Sequence, residues 1–430
     1  MYSKSRMLVL FVSALLVGYA VIGWMMGTVS SSNTIYKELS LFMEIYNKIQ
    51  DEYVEKPDMA KSLLGALRGL TDALDPYSSF VPRENVSRVE ALRPDEPSIG
   101  AAMARRYGYG YVMAPLPGSP AEIAGLRAGD TIESIDGKST AELSLAEIEA
   151  MLHGKAGTEV ALGLVRGRRS QPLIVKVRRE EWKQPVLSAV LLEDRVGHLK
   201  VPYFYKGVAV DLRAKIKMLT SRPLDGLVLD LRGTPGGSID EAITAASYFL
   251  EAGKKIAALR PKEGPEKTFQ SEGGALYAGP LTVLINTSSS GAAEVLAAAL
   301  ADNERAVLVG DRTPGFASVQ KMFRLEDGSA LILSVAFYHR PNGKPLQAEQ
   351  AKLAGLQPQI RVPKEDFVSR FYVDNPVESG NEQQAEQVYQ KLLKAIEEMQ
   401  LKEAVQALKA RVINKAATAP VGSRTRRKAA

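Results

Sequence analysis

Short apolar stretches alternate with helical patterns between residues 186 and 369, and this alternation constrains the fold more than any other feature. Residues 226–231 and 281–286 are short, mostly apolar runs of the kind that form strands buried on both faces. Each run leads through a turn of small residues into a segment with helical periodicity. The pattern predicts an α/β core, in which sites lie where strand ends lead into helix N-termini.

The residues before this core predict a helical region. Apolar side chains recur at helical spacing from Tyr36 to Ile49 and again from Leu63 to Leu74. The second run is followed by Pro76, which cannot continue the hydrogen bonding of a helix. We therefore interpret residues 33–92 as an N-terminal helical region.

The residues after the core predict further helices, over residues 376–415. Apolar side chains between residues 384 and 412 form one face of a helical pattern, which could pack on its own domain or on a partner chain. The basic residues 416–430 are predicted to be a flexible tail. The net charge of +6 comes partly from this tail and gives no indication of nucleic-acid binding.

The extreme N-terminus predicts a membrane anchor. Residues 7–26 are mostly apolar and carry no charge, and about 20 such residues are enough for a helix to cross a bilayer. Lys4 and Arg6 precede the run, so the N-terminus is expected to stay cytoplasmic and the rest of the chain to lie outside the cytoplasmic membrane. No small-residue cleavage pattern follows. We favour a retained anchor over residues 1–29, with a cleaved signal peptide as the alternative.

Several classes of site are excluded by what the sequence lacks. The chain has no cysteine, so disulfide bonds and thiolate metal sites are absent. It also has no His-Glu-x-x-His zinc motif, no Gly-x-Ser-x-Gly elbow and no Gly-x-x-x-x-Gly-Lys-Ser/Thr phosphate loop. We predict a protein that uses neither a metal ion nor a cofactor.

Three segments of the core occur in a distinctive order. They are residues 230–237 (DLRGTPGG), 286–294 (NTSSSGAAE) and 310–320 (GDRTPGFASVQ). In this order they resemble the carboxyl-terminal processing proteases, the S41 family of Ser/Lys peptidases that carry a PDZ domain. The resemblance extends from about Tyr36 to Pro363. It implies an α+β multidomain fold in which an α/β tail-specific-protease core of the ClpP/crotonase type occupies residues 186–369.

The PDZ domain implied by the resemblance covers residues 97–180. Its strongest part is residues 118–138, where a helix of small residues, a tight Gly-Asp turn, an apolar strand and an Asp-Gly turn follow one another. A further helix is predicted at about residues 145–152. PDZ domains add an extended peptide to a sheet edge and bind its C-terminal carboxylate through backbone amides. The resemblance assigns the carboxylate loop to four consecutive residues: Ser98, Ile99, Gly100 and Ala101. The family usually has Gly at the first of these.

The two groups that perform catalysis in this family have no counterpart here. In the family, the nucleophilic Ser lies three residues before the Glu that matches Glu294, and the Lys base lies four residues before the Gln that matches Gln320. Counting places Gly291 at the Ser position and Phe316 at the Lys position. A Ser/Lys mechanism needs a hydroxyl that attacks the carbonyl and an unprotonated amine that takes its proton.

The surrounding frame of the family's site is retained. Asp302 and Gln320 match family positions around the catalytic pair. Gly236 and Gly237 match the turn that contributes to the oxyanion hole, because glycine amides approach a carbonyl oxygen without interference from a side chain. The resemblance therefore implies a catalytically degenerate member of the family.

Other residues offer no obvious replacement for the missing pair. Three serines adjoin the gap, and the nearest, Ser290, is expected to point its side chain elsewhere. Lys321 would face away from the site in a strand. The histidines lie in no recognisable triad motif, and the first of them belongs to the PDZ-like region: they are His153, His198 and His339.

These observations together predict a membrane-anchored pseudoprotease at the bacterial inner membrane, with the bulk of the chain in the periplasm. Its partners would be protein or peptide C-termini, an active paralogue or an envelope protein complex. Two alternatives stay open: an active serine endopeptidase with a rearranged nucleophile, and a purely structural subunit of an envelope assembly. Related proteases use terminal helices to dimerise, so a homodimer is a further expectation.

Overall fold

The computed structural model describes residues 12–14, 17, 32–93, 96–166, 172–183, 185–347, 354–362, 365–375 and 382–418. The chain divides into two units, Met1–Ala66 and Leu67–Ala430. Most of the predicted anchor, residues 1–29, lies outside the described residues, as do residues 419–430 of the predicted tail. In the part of the chain that the structure covers, no helix is both long and apolar enough to span a bilayer.

The first unit is helical. It contains helix α1, Ser32–Glu52, and the beginning of helix α2, Met59–Asp72, which continues past the unit boundary. Helix α2 ends shortly before Pro76, as the missing amide of proline predicts.

The second unit alternates strands and helices along most of its length. Its strands are β1 Ser79–Val81, β2 Ala101–Arg106, β3 Tyr109–Pro115, β4 Thr131–Ile135, β5 Lys138–Ser139, β6 Glu159–Val165, β7 Leu173–Arg178, β8 Ser188–Leu191, β9 Val196–Lys200, β10 Gly226–Asp230, β11 Lys255–Pro261, β12 Lys267–Gln270, β13 Leu281–Ile285, β14 Val307–Gly310, β15 Ser318–Arg324, β16 Ala330–His339 and β17 Ile360–Arg361. Its further helices are α3 Arg83–Ala91, α4 Pro120–Ile123, α5 Leu145–Leu152, α6 Val208–Thr220, α7 Ile239–Ser247, α8 Ala292–Asp302, α9 Glu365–Asp374 and α10 Glu382–Thr418.

A largely parallel sheet forms the centre of the core. Its strand order is β17-β14-β13-β10-β9-β8, and the β8–β9 pair is antiparallel while the others are parallel. Every residue of β10 and β13 is buried, which explains their continuous apolar sequences. The turn after β10 leads to α7 and the turn after β13 leads to α8. Because the two strands are parallel neighbours, both turns lie at the same edge of the sheet.

A second, antiparallel sheet of the core includes a strand from the region that we predicted to be helical. The order is β1-β16-β11-β12, with β15 also paired to β16. Strand β1 pairs with Ala330–Ile332, about 250 residues further along the chain. Residues 79–81 therefore belong to the core rather than to a helical region. Three residues are too few to show a strand period, and the pairing that orders them is with a distant segment.

The third sheet lies in the PDZ-like region and is antiparallel. Its order is β2-β3-β4-β6-β7, with β5 paired to β4, so β2 is an edge strand. Helix α5 packs beside β2 and begins with a capping box, in which the Ser144 hydroxyl and the Glu147 carboxylate each accept a backbone amide. The predicted helix at 145–152 is confirmed.

The long C-terminal helix α10 packs on its own chain. Ala404 and Leu408 join the apolar cluster on one face of the parallel sheet. Leu408 lies so close to Gly226 that a β-carbon there would be 2.4 Å from its side chain. The amphipathic pattern allowed this helix to pack on its own domain or on a partner chain. The face that carries Ala404 and Leu408 packs on its own domain. Helix α9 begins at Glu365, before the predicted core boundary at residue 369.

Candidate functional site

A cleft of about 890 Å³ contains most of the residues that the sequence motifs single out. One wall comes from the strand-end turns of the parallel sheet and includes Gly236, Gly237 and Gly291. The loop that leads into β15 contributes Phe316. The opposite wall comes from the PDZ-like region, through residues 101–103 of β2 and one side of α5. The cleft is therefore continuous from the PDZ-like sheet edge to the family's catalytic position.

Gly291 and Phe316 lie next to each other in this cleft. Gly291 is the residue before helix α8, and its backbone has φ 56° and ψ −110°. A β-carbon on Gly291 would lie 3.3 Å from the carbonyl oxygen of Phe316 and 3.6 Å from the Cα atom of Gly236. The three positions that the sequence assigned to nucleophile, base and oxyanion turn therefore converge.

Glu294 holds this arrangement together. It lies in the first turn of α8 and is fully buried. Its carboxylate accepts hydrogen bonds from the backbone amides of Gly291 at 3.0 Å, Gly315 at 2.7 Å and Phe316 at 2.8 Å, and from the Thr313 hydroxyl. Burial raises the pKa of Glu294 to about 7, although these donors act in the opposite direction. One carboxylate thus ties the nucleophile position to the base position.

The Phe316 ring occupies the base position as part of an aromatic contact. Its centroid lies 5.3 Å from that of Tyr77, at an interplanar angle of 84°. Edge-to-face geometry at this distance is favourable for aromatic pairs. Phe316 carries no group that can take a proton, so the position is filled by packing.

The glycine turn at Gly236 and Gly237 is held to the loop before α6 by backbone hydrogen bonds. The carbonyl oxygen of Gly236 accepts the Phe204 amide at 3.3 Å, and the Ser238 amide donates to the Phe204 carbonyl at 2.8 Å. Within the described residues, neither the Gly236 nor the Gly237 amide donates a hydrogen bond. Both amides therefore remain available to a ligand oxygen.

The three serines before Gly291 do not behave alike. The Ser288 hydroxyl donates to the carbonyl of Met113 at 2.8 Å, and the Ser289 hydroxyl donates to that of Leu231 at 2.7 Å. Ser290 instead lines the cleft, with its oxygen 4.0 Å from the position of a β-carbon on Gly236. The expectation that Ser290 points elsewhere was wrong, because its amide donates to the carbonyl of Thr234 within the glycine turn and this bond holds its backbone beside the cleft.

The structure separates the other two predicted frame residues. Gln320 is exposed, lines the cleft and donates to the Ser318 hydroxyl at 2.7 Å. Asp302 is the last residue of α8 and does not line the cleft. It forms an ion pair with Arg340, whose Nε lies 3.1 Å from the Asp302 carboxylate. Asp302 therefore anchors the end of the helix and is not placed to act on a ligand.

The predicted carboxylate loop is engaged in internal hydrogen bonds. The Ser98 amide donates to Glu180 at 3.2 Å, and the Ile99 amide donates to Leu152 at 3.3 Å. The Gly100 amide donates to the Ser98 hydroxyl at 3.1 Å. The Trp182 ring also packs close to Gly100. Capture of a terminal carboxylate by this loop therefore requires that Ser98, Ile99 and Gly100 exchange these bonds.

Comparisons with known proteins agree with this architecture. A model described as peptidase family S41 matches residues 195–362, and one described as a PDZ domain matches residues 111–166. The carboxy-terminal processing protease CtpA of Bacillus subtilis is 30% identical, over 85% of this chain and 78% of its own. The carboxy-terminal-processing protease of Bartonella bacilliformis is 32% identical, over 78% and 77% respectively. This chain belongs to the S41 carboxy-terminal processing protease family.

A solved structure supports the fold of this S41 member. The photosystem II D1 C-terminal processing protease has a TM-score of 0.60 and 24% identity, and the match covers 76% of this chain and 94% of that one. The mixed α+β architecture with a PDZ domain and an S41 core is confirmed.

Several residues that line the S41 cleft were not identified from the sequence. They are Tyr77 before β1, Glu149 and His153 of the PDZ-like region, Trp182 just after that region and Tyr203 in the loop before α6. His153 therefore shares a cleft with Gly291, although its region is distant in sequence. No motif marks these residues, because their proximity arises from packing between sheets. Across the described ranges, no group of three or more His, Asp or Glu side chains is arranged to hold a metal ion.

Proposed function

We propose that this S41 member is a pseudoprotease that binds protein segments, including protein C-termini, without cleaving them. The observation that supports the proposal is an open cleft lined by Gly291 and Phe316, the residues that the motifs assign to the family's nucleophile and base positions. Loss of a catalytic triad member leaves roughly a thousandfold rate over water from the oxyanion hole and binding. That residual rate is far below that of a working protease.

The remainder of the cleft is suited to binding an extended chain. Strand β2 is an edge strand, and residues 101–103 face the cleft. A peptide that pairs with β2 gains main-chain hydrogen bonds, as in the ligands of PDZ domains. The Gly236 and Gly237 amides lie in the same cleft and could bind a carbonyl oxygen of that peptide.

Ser290 supports a second candidate function, an endopeptidase with a rearranged nucleophile. Its hydroxyl lies in the cleft beside the glycine turn. Within the described residues, however, no basic side chain forms a hydrogen bond with this hydroxyl. An unactivated serine is a weak nucleophile, so binding without hydrolysis is the stronger proposal.

The test is to incubate the purified full chain with a fluorophosphonate probe and with casein, beside an active serine protease. We expect no labelling and no casein fragments. Labelling that Ser290→Ala abolishes would establish the endopeptidase instead.

A binding measurement tests the other half of the proposal. A library of labelled decapeptides with free C-termini is compared with the same library carrying amidated C-termini, by fluorescence polarisation. Weaker binding of the amidated library identifies capture of C-termini, and equal binding identifies internal segments. Absence of binding in both libraries rejects the binding function and leaves the purely structural reading.

The cellular setting is also part of the proposal. Retention of the apolar segment at residues 1–29 would hold the chain at the bacterial inner membrane with its cleft in the periplasm. There it would scaffold an active paralogue or an envelope protein complex. Light scattering of the detergent-solubilised full chain tests the homodimer.

A further inference from the structure

Glu149 is an acidic side chain in the wall of the cleft, and in the part of the chain that the structure describes its carboxylate has no partner. It lies in the last turn of α5 and is half-buried. Its neighbour Glu147 is paired with Arg68 at 3.3 Å and also binds Asn85 and the Ser144 amide. Within the described residues, no hydrogen bond or ion pair engages the Glu149 carboxylate. Helix α5 therefore carries one carboxylate that stabilises the fold and one that faces the cleft unpaired.

Aromatic side chains line the same cleft as Glu149. They are Tyr77, Trp182, Tyr203 and Phe316. After burial itself, the negative charges of Glu294 and Glu149 raise the pKa of Tyr77, and Glu149 also raises that of Tyr203. Both tyrosines therefore lie within electrostatic range of the Glu149 carboxylate.

The other charged groups of the cleft do not neutralise Glu149. Lys206 lines the cleft but is exposed and forms no ion pair with Glu149. The Nδ1 atom of His153 lies 2.9 Å from the backbone carbonyl of Glu149, not from its carboxylate. Glu294 adds a second negative charge behind Tyr77, but its oxygens are occupied by four donors.

A desolvated carboxylate beside aromatic faces is the chemistry that recognises a cation. Burial without a partner disfavours the charged carboxylate, and an ammonium or guanidinium group that enters the cleft relieves this cost. Aromatic faces attract the same cation through their quadrupoles. The cleft volume of about 890 Å³ accommodates a peptide that carries such a side chain.

We propose that Glu149 selects protein segments that place a lysine or arginine side chain beside Tyr77 and Tyr203 while their backbone lies along β2. The inference rests on the proposed binding function and specifies the class of ligand. The bound segment would have a basic residue at one fixed position, paired with Glu149.

The test uses the full chain and immobilised decapeptide libraries, in each of which one position is fixed. Each fixed position carries lysine, arginine, glutamate or norleucine, the last being a neutral residue with a similar stem. We expect lysine or arginine to be preferred over norleucine by at least about tenfold at one position, as for a close, partly desolvated charge pair. In the Glu149→Gln variant we expect the preference to disappear, so that the lysine, arginine and norleucine peptides bind about equally well. Binding of the norleucine peptides should persist.

The matched control is Glu133→Gln, which removes a carboxylate from β4 that does not line the cleft. It should keep the preference of the wild-type chain. Glu149→Met is a second neutral variant with a similar volume, for use if Glu149→Gln does not fold.

The outcomes separate this inference from the proposed function. Peptide binding without a preference for basic residues, or a preference that survives both Glu149 variants, overturns the role of Glu149 and leaves the binding function intact. Absence of binding for every library overturns both. A basic preference that both Glu149 variants remove and Glu133→Gln retains supports the assignment.

Discussion

A β-carbon on Gly291 would stand 3.3 Å from the carbonyl oxygen of Phe316, so the two residues that the motifs assign to the nucleophile and base positions are in contact. Glu294 maintains this relationship by accepting the amides of both residues. If these are the nucleophile and base positions, as we propose, the reactive groups are absent while the backbone around them stays assembled.

Restoring both groups is expected to restore weak hydrolysis. Gly291→Ser with Phe316→Lys returns a hydroxyl and an amine to a frame that still has free amides at Gly236 and Gly237. The backbone of Gly291, with φ 56° and ψ −110°, lies in a sparsely populated region for a residue with a side chain, so the serine costs about 1–3 kcal/mol of stability. The measurement is cleavage of a peptide library by the double variant, with each single variant as its control. A folded but inert double variant would mean that the cleft has lost the geometry for catalysis.

Removal of the Glu294 carboxylate is expected to be strongly destabilising. Glu294→Ala leaves three amides and the Thr313 hydroxyl without their acceptor inside the core. A buried donor that is left without an acceptor costs about 1–3 kcal/mol when no water reaches it. We therefore expect the free energy of unfolding to fall by at least about 3 kcal/mol. Urea denaturation of the full chain measures the change. Glu326→Ala removes an exposed glutamate and should change stability by less than about 0.5 kcal/mol.

The stability contribution of Glu149 is expected to depend on pH. Burial raises the pKa of Glu149 to about 7 from an ordinary value of 4.5. Between these values the native chain binds more protons than the unfolded chain, so the contribution is favourable below pH 4.5 and is lost as pH rises through about 7. The Glu149→Gln variant should match the wild type near pH 4 and exceed it at pH 8 by on the order of 3 kcal/mol.

The measurement for this prediction is the difference in free energy of unfolding between the two proteins across pH 4–8. Taking the difference removes the contribution of Glu294, whose pKa burial also raises to about 7. A difference that does not change with pH would contradict the assignment of a desolvated carboxyl group to Glu149.

The N-terminal segment is expected to remain attached in the native membrane. Residues 7–26 are long enough to span the bilayer, and no small-residue cleavage pattern follows them. N-terminal sequencing of the protein from its native membrane should begin at or near Met1. A mature N-terminus near Ser30 would identify a cleaved signal peptide instead.

The amino-acid sequence by itself determined the α/β core and the family, and it carries the prediction that Gly291 and Phe316 stand at the nucleophile and base positions. Strands β10 and β13 could be predicted because continuous apolar runs and the turns that follow them are local in the chain. Gly291 and Phe316 could be placed because the family's motifs fix their separation from Glu294 and Gln320.

Only the tertiary structure decided which side chains share the cleft. The glycine turn and the PDZ-like region border the same cleft, which brings Ser290, Glu149 and His153 together. No local sequence pattern predicts this arrangement. The sequence alone does not show whether a glutamate on a short helix, such as Glu149, is exposed to solvent or faces a cleft. For the same reason the occupied amides of Ser98 and Ile99 could not be foreseen, since their partners Glu180 and Leu152 lie more than 50 residues away. Hydrogen bonds and burial depend on contacts in space. Sequence patterns predict them only where the contacting residues are close along the chain.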